Sequence, residues 1–351
     1  MKRDKETLVI LIPGFPSSES DSTCLPSQQL FVRAIKELCP SLNIIVLSFQ
    51  YPYHNKPYRW NDIEVIPFNG QNNGGFARLL RQRKISQTLK KISQQNLVVG
   101  ILSFWCAECA AVGKRFAGKN NIKHYCWIRG QDARASNRFP ARIKPAAGEL
   151  IALSDFLQDE FERNHHIRPA HVIPAGVDSK TFPASAEKTI DLLAAGSLIP
   201  LKQHEIFIEV VAAIKKHIPA IKAVLIGDGP ERENLKALIN QYDLAENLEL
   251  TGELSHPEVL QRMQRSKILL HSSSYEGFSG VCLEALHAGC HVISFCRAMH
   301  SSIEHWHILS NAEEMKQKAV ALLQTESTQY IAVTPYKIED AARSIMRLFS
   351  L

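Results

Sequence analysis

The chain alternates short apolar runs with segments in which apolar residues recur every three or four positions. The apolar runs predict β-strands, and those of the first half are Leu8–Ile12, Asn43–Ser48, Leu97–Leu102, Lys123–Ile128, Glu149–Leu153 and His171–Ile173. Those of the second half are Ile190–Ala194, Ala223–Ile226, Leu248–Leu250, Ile268–His271 and His291–Ser294. Continuously apolar strands are typical of a parallel sheet that is covered on both faces.

Helical patterns fill the gaps between these strands. The main ones are Gln28–Leu38, Phe76–Lys91, Asp155–Arg163, Gln203–His217, Glu231–Gln241, His256–Gln264, Gly280–Ala288 and Ala312–Gln324. The alternation predicts an α/β protein with two doubly wound, Rossmann-like domains. A Pro- and Gly-containing stretch at 174–183 separates the two sets. We therefore predict domains at 1–178 and 179–334, with a last helix in 335–351 that packs back on the first domain.

Composition sets few further limits. The chain has 351 residues, 45% hydrophobic and 22% charged, which suits two folded domains. No apolar run reaches the roughly 18–20 residues that cross a bilayer, and the apolar run after the basic start is too short for a signal peptide. The sequence thus predicts a cytosolic protein.

Eight cysteines would then be mostly small core residues. Cys106 and Cys109 form a C-x-x-C pair, and with His124 and Cys126 they leave a zinc site open as an alternative. Because the pair lies in what looks like an apolar helix, buried thiols are favoured and no metal is predicted.

Charge is distributed unevenly. Between Gln71 and Pro145 there are fifteen lysines and arginines but only two acids, Glu108 and Asp132, so this segment carries +13 while the whole chain carries +6. The pattern Phe76–Ile85 predicts a basic amphipathic helix. It is either a solvated helix face or a contact for an anionic membrane or a charged acceptor. Nucleic acid is not predicted, because no recognised binding module accompanies the charge.

The segment from Lys267 to Ser294 carries the most distinctive chemistry. Its predicted helix has Glu284 as the only charged residue. An ionised carboxylate among apolar neighbours is costly without a partner, and two sugar hydroxyls would satisfy it. Gly277, Ser279 and Gly280 at the helix start leave N–H groups for an anion such as phosphate. A capped helix with a salt-bridged Glu284 explains the same residues, and physics alone leaves both interpretations open.

The stretch Ser274-Tyr275-Glu276-Gly277-Phe278 … Leu283-Glu284-Ala285 … Gly289 resembles the E-x7-E motif of retaining glycosyltransferase family 4, whose members have the GT-B fold. Other segments resemble that family in the right order, namely Ala152–Phe156, Ile173–Asp178, Ala195–Leu198 with Lys202, Leu225–Pro230, and Leu250–Gly252 with His256 and Pro257. Together they cover about residues 150–295. The resemblance implies two Rossmann-like domains that face each other across a cleft, the first for the acceptor and the second for the nucleotide sugar.

The resemblance also implies roles for individual residues. Lys202 would contact the diphosphate, and Glu276 would bind hydroxyls of the donor sugar. Glu284 would hold the ribose, and Gly14 would approach the diphosphate from the first domain. The remaining implied substrate-binding residues are Ser197, Gly227, Gly252, Phe278, Ser279, Gly280, Arg129 and Asp132.

The implied reaction is a retaining, metal-independent transfer from a UDP-, GDP- or ADP-sugar to a glycan, lipid or other polar acceptor, as in cell-envelope polysaccharide synthesis, with no cofactor. Two positions depart from the family pattern. Ser197 stands where an arginine is frequent, and Arg129 stands where a histidine is frequent. These departures leave a non-catalytic subunit that binds a sugar nucleotide as an alternative. Another GT-B enzyme, such as a sugar-nucleotide epimerase or a phosphorylase, is a further one.

Overall fold

The structure is a computed structural model that describes residues 5–351, and it divides into two compact units. The first unit runs to Ala175 and also includes Ile338–Leu351, while the second is Gly176–Lys337. Each unit is built on one mainly parallel sheet, which confirms the predicted pair of doubly wound sheets. The divisions fall at Ala175 and Lys337, where the sequence had suggested 178 and 334.

The first unit contains an eight-stranded sheet. Its strands are β1 (Glu6–Gly14), β2 (Asn43–Tyr51), β3 (Tyr58–Trp60), β4 (Ile63–Pro67), β5 (Leu97–Phe104), β6 (His124–Trp127), β7 (Leu150–Ala152) and β8 (His171–Val172). They lie in the order β3-β4-β2-β1-β5-β6-β7-β8, and only the β3–β4 pair is antiparallel. The central strand β1 is almost completely buried, as a strand covered on both faces should be.

Within residues 5–175, five α-helices are interspersed with these strands along the chain. They are α1 (Pro26–Leu38), α2 (Gly75–Gln95), α3 (Glu108–Asn120), α4 (Phe139–Ile143) and α5 (Asp155–His165). The structure corrects one local prediction, because Cys106 of the C-x-x-C pair precedes the helix and only Cys109 lies in its first turn. Phe104 ends β5, Trp105 has a left-handed backbone (φ 68°), and α3 begins only at Glu108. The apolar character of this stretch comes from a buried strand end and a turn.

The second unit contains a six-stranded parallel sheet in the order β11-β10-β9-β12-β13-β14. Its strands are β9 (Ile190–Ala195), β10 (Ala223–Ile226), β11 (Leu248–Gly252), β12 (Ser266–His271), β13 (His291–Ser294) and β14 (Trp306–Ile308). Its helices are α6 (His204–Lys215), α7 (Arg232–Gln241), α8 (His256–Gln264), α9 (Gly280–His287) and α10 (Ala312–Gln324). In such sheets ligands bind beyond the carboxyl ends of the strands.

The last helix, α11 (Ile338–Phe349), returns to the first unit and packs against α1. Its buried residues recur at helical spacing, from Ile338 to Phe349. The Phe349 ring lies so close to Gly100 that a Cβ there would come within 2.2 Å of it. Glycine is therefore required at position 100. No helix within residues 5–351 is long and apolar enough to cross a bilayer.

Candidate donor site

Lys202 and Glu276 form an ion pair at the carboxyl edge of the second sheet. β9 and β12 are parallel neighbours, so the loops that follow them leave the sheet at the same edge. Lys202 ends a short turn after β9, and Glu276 lies in the loop after β12. The Lys202 Nζ is 2.6 Å from the Glu276 Oε2, with the side chains 21% and 24% exposed. The topology thus joins the residue that the resemblance places at the diphosphate and the residue that it places at the donor sugar.

Two serines connect these two loops by hydrogen bonds. The Ser272 hydroxyl donates to the carbonyls of Lys202 and Gln203 at 2.8 Å. The Ser274 N–H donates to the Leu201 carbonyl at 3.1 Å. Gln203 itself adopts a left-handed backbone (φ 49°), which ends the turn and starts α6. The serine-rich loop therefore fixes the backbone on both sides of the ion pair.

His271 lies beneath the pair, and sequence reasoning did not single it out. Its Nε2 is 3.7 Å from the Glu276 Oε2, and its side chain is 5% exposed. Burial, and then the charge of Lys202, lower the pKa of His271 to about 3. The imidazole is therefore neutral at physiological pH, and Lys202 supplies the positive charge next to Glu276.

Glu284 has a protein partner, His256 of α8. The His256 Nε2 is 2.8 Å from the Glu284 Oε1, with side chains 15% and 17% exposed. Burial lowers the pKa of His256, but the hydrogen bond and charge of Glu284 outweigh burial and raise that pKa above its ordinary value. The carboxylate in the apolar helix is thus satisfied as the salt-bridge interpretation expects. Its contact with a ribose stays a prediction.

The start of α9 borders a small cavity next to Glu276. Phe278 and Ser279 are buried and line this cavity together with His271 and Trp306. The Phe278 and Trp306 rings stack with centroids 5.9 Å apart. Trp306 lies on β14, a strand that the sequence did not predict. A Cβ at Gly280 would meet nothing within 4 Å, so the beginning of the helix is open to a ligand.

Two of the predicted glycines have a backbone reason to be glycine. Gly227 has φ +146°, and a Cβ there would lie 1.9 Å from the Gly196 carbonyl oxygen. Gly252 has φ +81° and accepts a hydrogen bond from the Gly227 N–H at 2.9 Å. Ser197, just after Gly196, is exposed. These residues lie at the carboxyl ends of β9, β10 and β11, and their contact with substrate stays a prediction.

The family model for glycosyl transferases group 1 matches residues 178–350. This match covers the second unit and the last helix, 173 of the 351 residues. Sucrose-phosphate synthase from Thermosynechococcus elongatus is a structural neighbour with a TM-score of 0.70 at 16% identity, covering 98% of this chain and 95% of that one. Likeness at this identity concerns the fold, and it confirms the predicted GT-B class.

Curated relatives resemble part of this chain. The phosphatidylinositol N-acetylglucosaminyltransferase gpi3 subunit of Schizosaccharomyces pombe is 32% identical over 203 residues, 56% of this chain and 44% of that protein. The UDP-N-acetylglucosamine–peptide N-acetylglucosaminyltransferase GtfA subunit of Streptococcus parasanguinis is 29% identical over 141 residues, 40% of this chain and 27% of that protein. The matched region spans less than half the length of either relative.

Gly14 ends β1 in the first unit, opposite Tyr51 of β2. A Cβ at Gly14 would make ordinary contacts of 3.7 Å with Tyr51 and 3.8 Å with Cys24. The fold itself therefore leaves room for a side chain at this strand end. Its predicted approach to a diphosphate stays a prediction.

Arg129 and Asp132 are buried together after β6. The Arg129 guanidinium lies over the rings of Phe104, Trp105 and Trp127, 4.6–5.7 Å from their centroids. The backbone N–H of Arg129 donates a hydrogen bond to the Asp132 carboxylate at 2.8 Å. Burial raises the pKa of Asp132 to about 7 and lowers that of Arg129, which stays charged. Their present contacts are internal, and binding of substrate by them stays a prediction.

Cys106, Cys109 and Cys126 are buried free thiols. Burial raises the pKa of Cys109 and of Cys126 well above the ordinary thiol value, and His124 is hydrogen-bonded to the Ser103 hydroxyl at 2.9 Å. Across residues 5–351 no three His, Cys, Asp or Glu side chains are grouped so that they could hold a metal ion.

Proposed function

We propose that the protein is a retaining glycosyltransferase that moves a sugar from a nucleotide diphosphate sugar to a glycan, lipid or other polar acceptor. The observation that carries the proposal is the Lys202–Glu276 pair beside the start of α9. It joins a cation, a carboxylate and a helix N-terminus at the strand edge where α/β sheets bind ligands. The match of residues 178–350 to the glycosyl transferases group 1 family model supports it.

Each part has a chemical role in the transfer. Charge develops on the leaving diphosphate as the glycosyl bond breaks, and preorganised positive groups stabilise it. Lys202 and the first-turn amides of α9 supply such groups. Glu276 accepts hydrogen bonds from donor hydroxyls once Lys202 turns to the phosphate. The leaving phosphate oxygen takes the acceptor proton, so no protein general base is assigned.

UDP-N-acetylglucosamine is the donor to test first. It is the donor printed in the name of the streptococcal relative, and the yeast relative is also named an N-acetylglucosaminyltransferase. Glu284 would bind the ribose in place of its present partner His256. Gly227, Gly252 and Ser197 lie at neighbouring strand ends, in keeping with a nucleotide that crosses these ends.

The acceptor is proposed from charge. The basic first unit suits an anionic acceptor or an anionic membrane surface, and we place the reaction in synthesis of a cell-envelope glycan. All eight cysteines are free, in keeping with the predicted cytosolic compartment.

The decisive experiment is binding and turnover measured without added metal. A melting-temperature screen with UDP, GDP and ADP should give a shift for one nucleotide, and Glu284→Ala should remove most of it. Release of that nucleotide from its sugar donor, with or without acceptor, should follow. Absence of any shift would refute the proposal.

One observation favours a second candidate. Ser197 is exposed in the loop after β9 that also contains Lys202, so the donor site has one cation fewer than the family pattern. A non-catalytic subunit would bind the nucleotide without transfer or donor hydrolysis. An epimerase would instead convert the sugar nucleotide with no acceptor present.

A further inference from the structure

A cavity of about 560 Å³ opens among α2, α3 and α4 of the first unit, remote in sequence from the donor site. We call it the basic groove and define it by Arg78, Leu79, Arg115, Lys119, Phe139 and Arg142. No acidic residue lines it. Its cations come from three helices, so the tertiary fold, and not a single run of sequence, brings them together.

Four cations of the basic groove lack counter-charges. Within residues 5–351, Arg78, Arg115, Lys119 and Arg142 take part in no ion pair. Lys114, which also lines the cavity, is by contrast paired with Glu149. Like charges around one cavity raise the local potential, and a phosphate group offers several acceptor oxygens that would offset it.

Not all of the predicted basic helix faces solvent. Arg81 of α2 is buried and paired with Glu108 at 2.8 Å. Ile85, Leu89 and Ile92 hold the rest of the helix to the core. The charge that is free to act on a partner is therefore concentrated in the groove, together with surface lysines further along α2.

Apolar side chains stand next to these cations. Phe76, Leu79 and Leu80 on the first turns of α2 are 72%, 57% and 41% exposed. Inside the groove, Phe139 and Ile143 of α4 add apolar lining. A soluble phosphate would make no contact with exposed apolar side chains. A bilayer would, because it offers anionic headgroups and an apolar layer a few ångströms apart.

We propose that the basic groove binds the phosphate of an anionic membrane lipid while Phe76, Leu79 and Leu80 enter the bilayer interface. This deepens the membrane contact suggested under the proposed function by giving it a defined site. It does not depend on the transfer reaction, because Lys202, Glu276 and Glu284 lie in the other unit.

The test is co-sedimentation of the full chain with phosphatidylcholine vesicles, with and without phosphatidylglycerol. Wild type should bind only the anionic vesicles. Arg115→Glu with Lys119→Glu should weaken binding about thirtyfold or more, since each basic residue near an anionic surface contributes roughly fivefold. The matched control is Lys90→Glu with Lys91→Glu, which makes the same charge change on exposed positions of α2 outside the groove.

Two further arms decide the assignment. If both double variants weaken vesicle binding equally, diffuse electrostatic attraction explains the binding, and the assignment of the basic groove as the lipid site is refuted. Phe76→Ser with Leu79→Ser should also release the chain from vesicles, and unchanged binding by this variant would overturn the lipid assignment. UDP-induced melting shifts on the same variants report the donor site separately, so vesicle binding and nucleotide binding fail independently.

Discussion

Replacing Lys202 with alanine removes the cation of the central ion pair. Its Nζ lies 2.6 Å from the Glu276 carboxylate, and both side chains are mostly buried. Loss of a charge-assisted hydrogen bond of this kind costs about 1.5–3 kcal/mol. For a unit of this size we expect the melting temperature to fall by roughly 5 °C. In turnover the loss should be larger, about 10²–10³-fold in kcat, because one preorganised group at a developing charge contributes about 3–4 kcal/mol.

Lys267→Ala is the matched control for that variant. The Lys267 Nζ is 2.8 Å from Asp191 Oδ1, with side chains 30% and 19% exposed. This pair joins the same strands, β9 and β12, near their amino ends. Both variants should lose similar stability in calorimetry, but only Lys202→Ala should lose nucleotide release from the sugar donor. An unchanged kcat in Lys202→Ala, or an equal loss in Lys267→Ala, would refute the assigned role.

Three other changes have defined outcomes. The folded pKa of His256 is raised above its ordinary 6.5, so its bond to Glu284 stabilises the fold fully below about pH 6.5, and this stabilisation is lost as pH rises through the folded pKa. Across that pH window the melting temperature of the wild type should fall relative to that of His256→Gln. Parallel curves of melting temperature against pH for the two proteins would contradict this. Gly227→Ala places a Cβ 1.9 Å from the Gly196 oxygen and should cost more than about 3 kcal/mol in denaturant unfolding, whereas Gly280→Ala, with open space, should change stability by under about 1 kcal/mol. Ser197→Arg should tighten UDP binding about tenfold in calorimetric titration, and unchanged affinity would argue against a missing diphosphate cation.

The sheets were predictable because parallel strands are buried on both faces and read as unbroken apolar runs. Every strand predicted this way is present. Of the missed strands, β3 and β14 lie at sheet edges, and β4 lies next to β3 with alternating buried and exposed positions. The edge strands β3 and β14 mix aromatic and polar residues, as Tyr58–Trp60 and Trp306–His307 show. An edge strand needs no continuous apolar surface. The C-x-x-C segment was misassigned since composition alone does not separate a buried turn from a helix.

The residues of the donor site were predicted from the motif, but only the tertiary structure shows which of them contact each other. The sequence marked Lys202 and Glu276 as separate members of one site, and only the adjacency of β9 and β12 shows that they touch. His256 was noted only as part of a segment that resembles the family, and nothing in the spacing tied it to Glu284. His271 and Trp306 left no signal, because a buried neutral histidine and an edge-strand tryptophan resemble ordinary core residues.

Both carboxylates of the donor site are compensated by the chain itself, Glu276 by Lys202 and Glu284 by His256. The ligand-free site thus avoids the cost of two partly buried, unpaired anions. In the proposed reaction, a nucleotide sugar that takes Lys202 for its phosphates would remove the partner of Glu276, and the donor's own hydroxyls would then replace it. A bare nucleoside diphosphate would bring the phosphates without those hydroxyls. We therefore expect the complete donor to satisfy the site where its product does not, a difference that would favour release of the spent nucleotide after transfer.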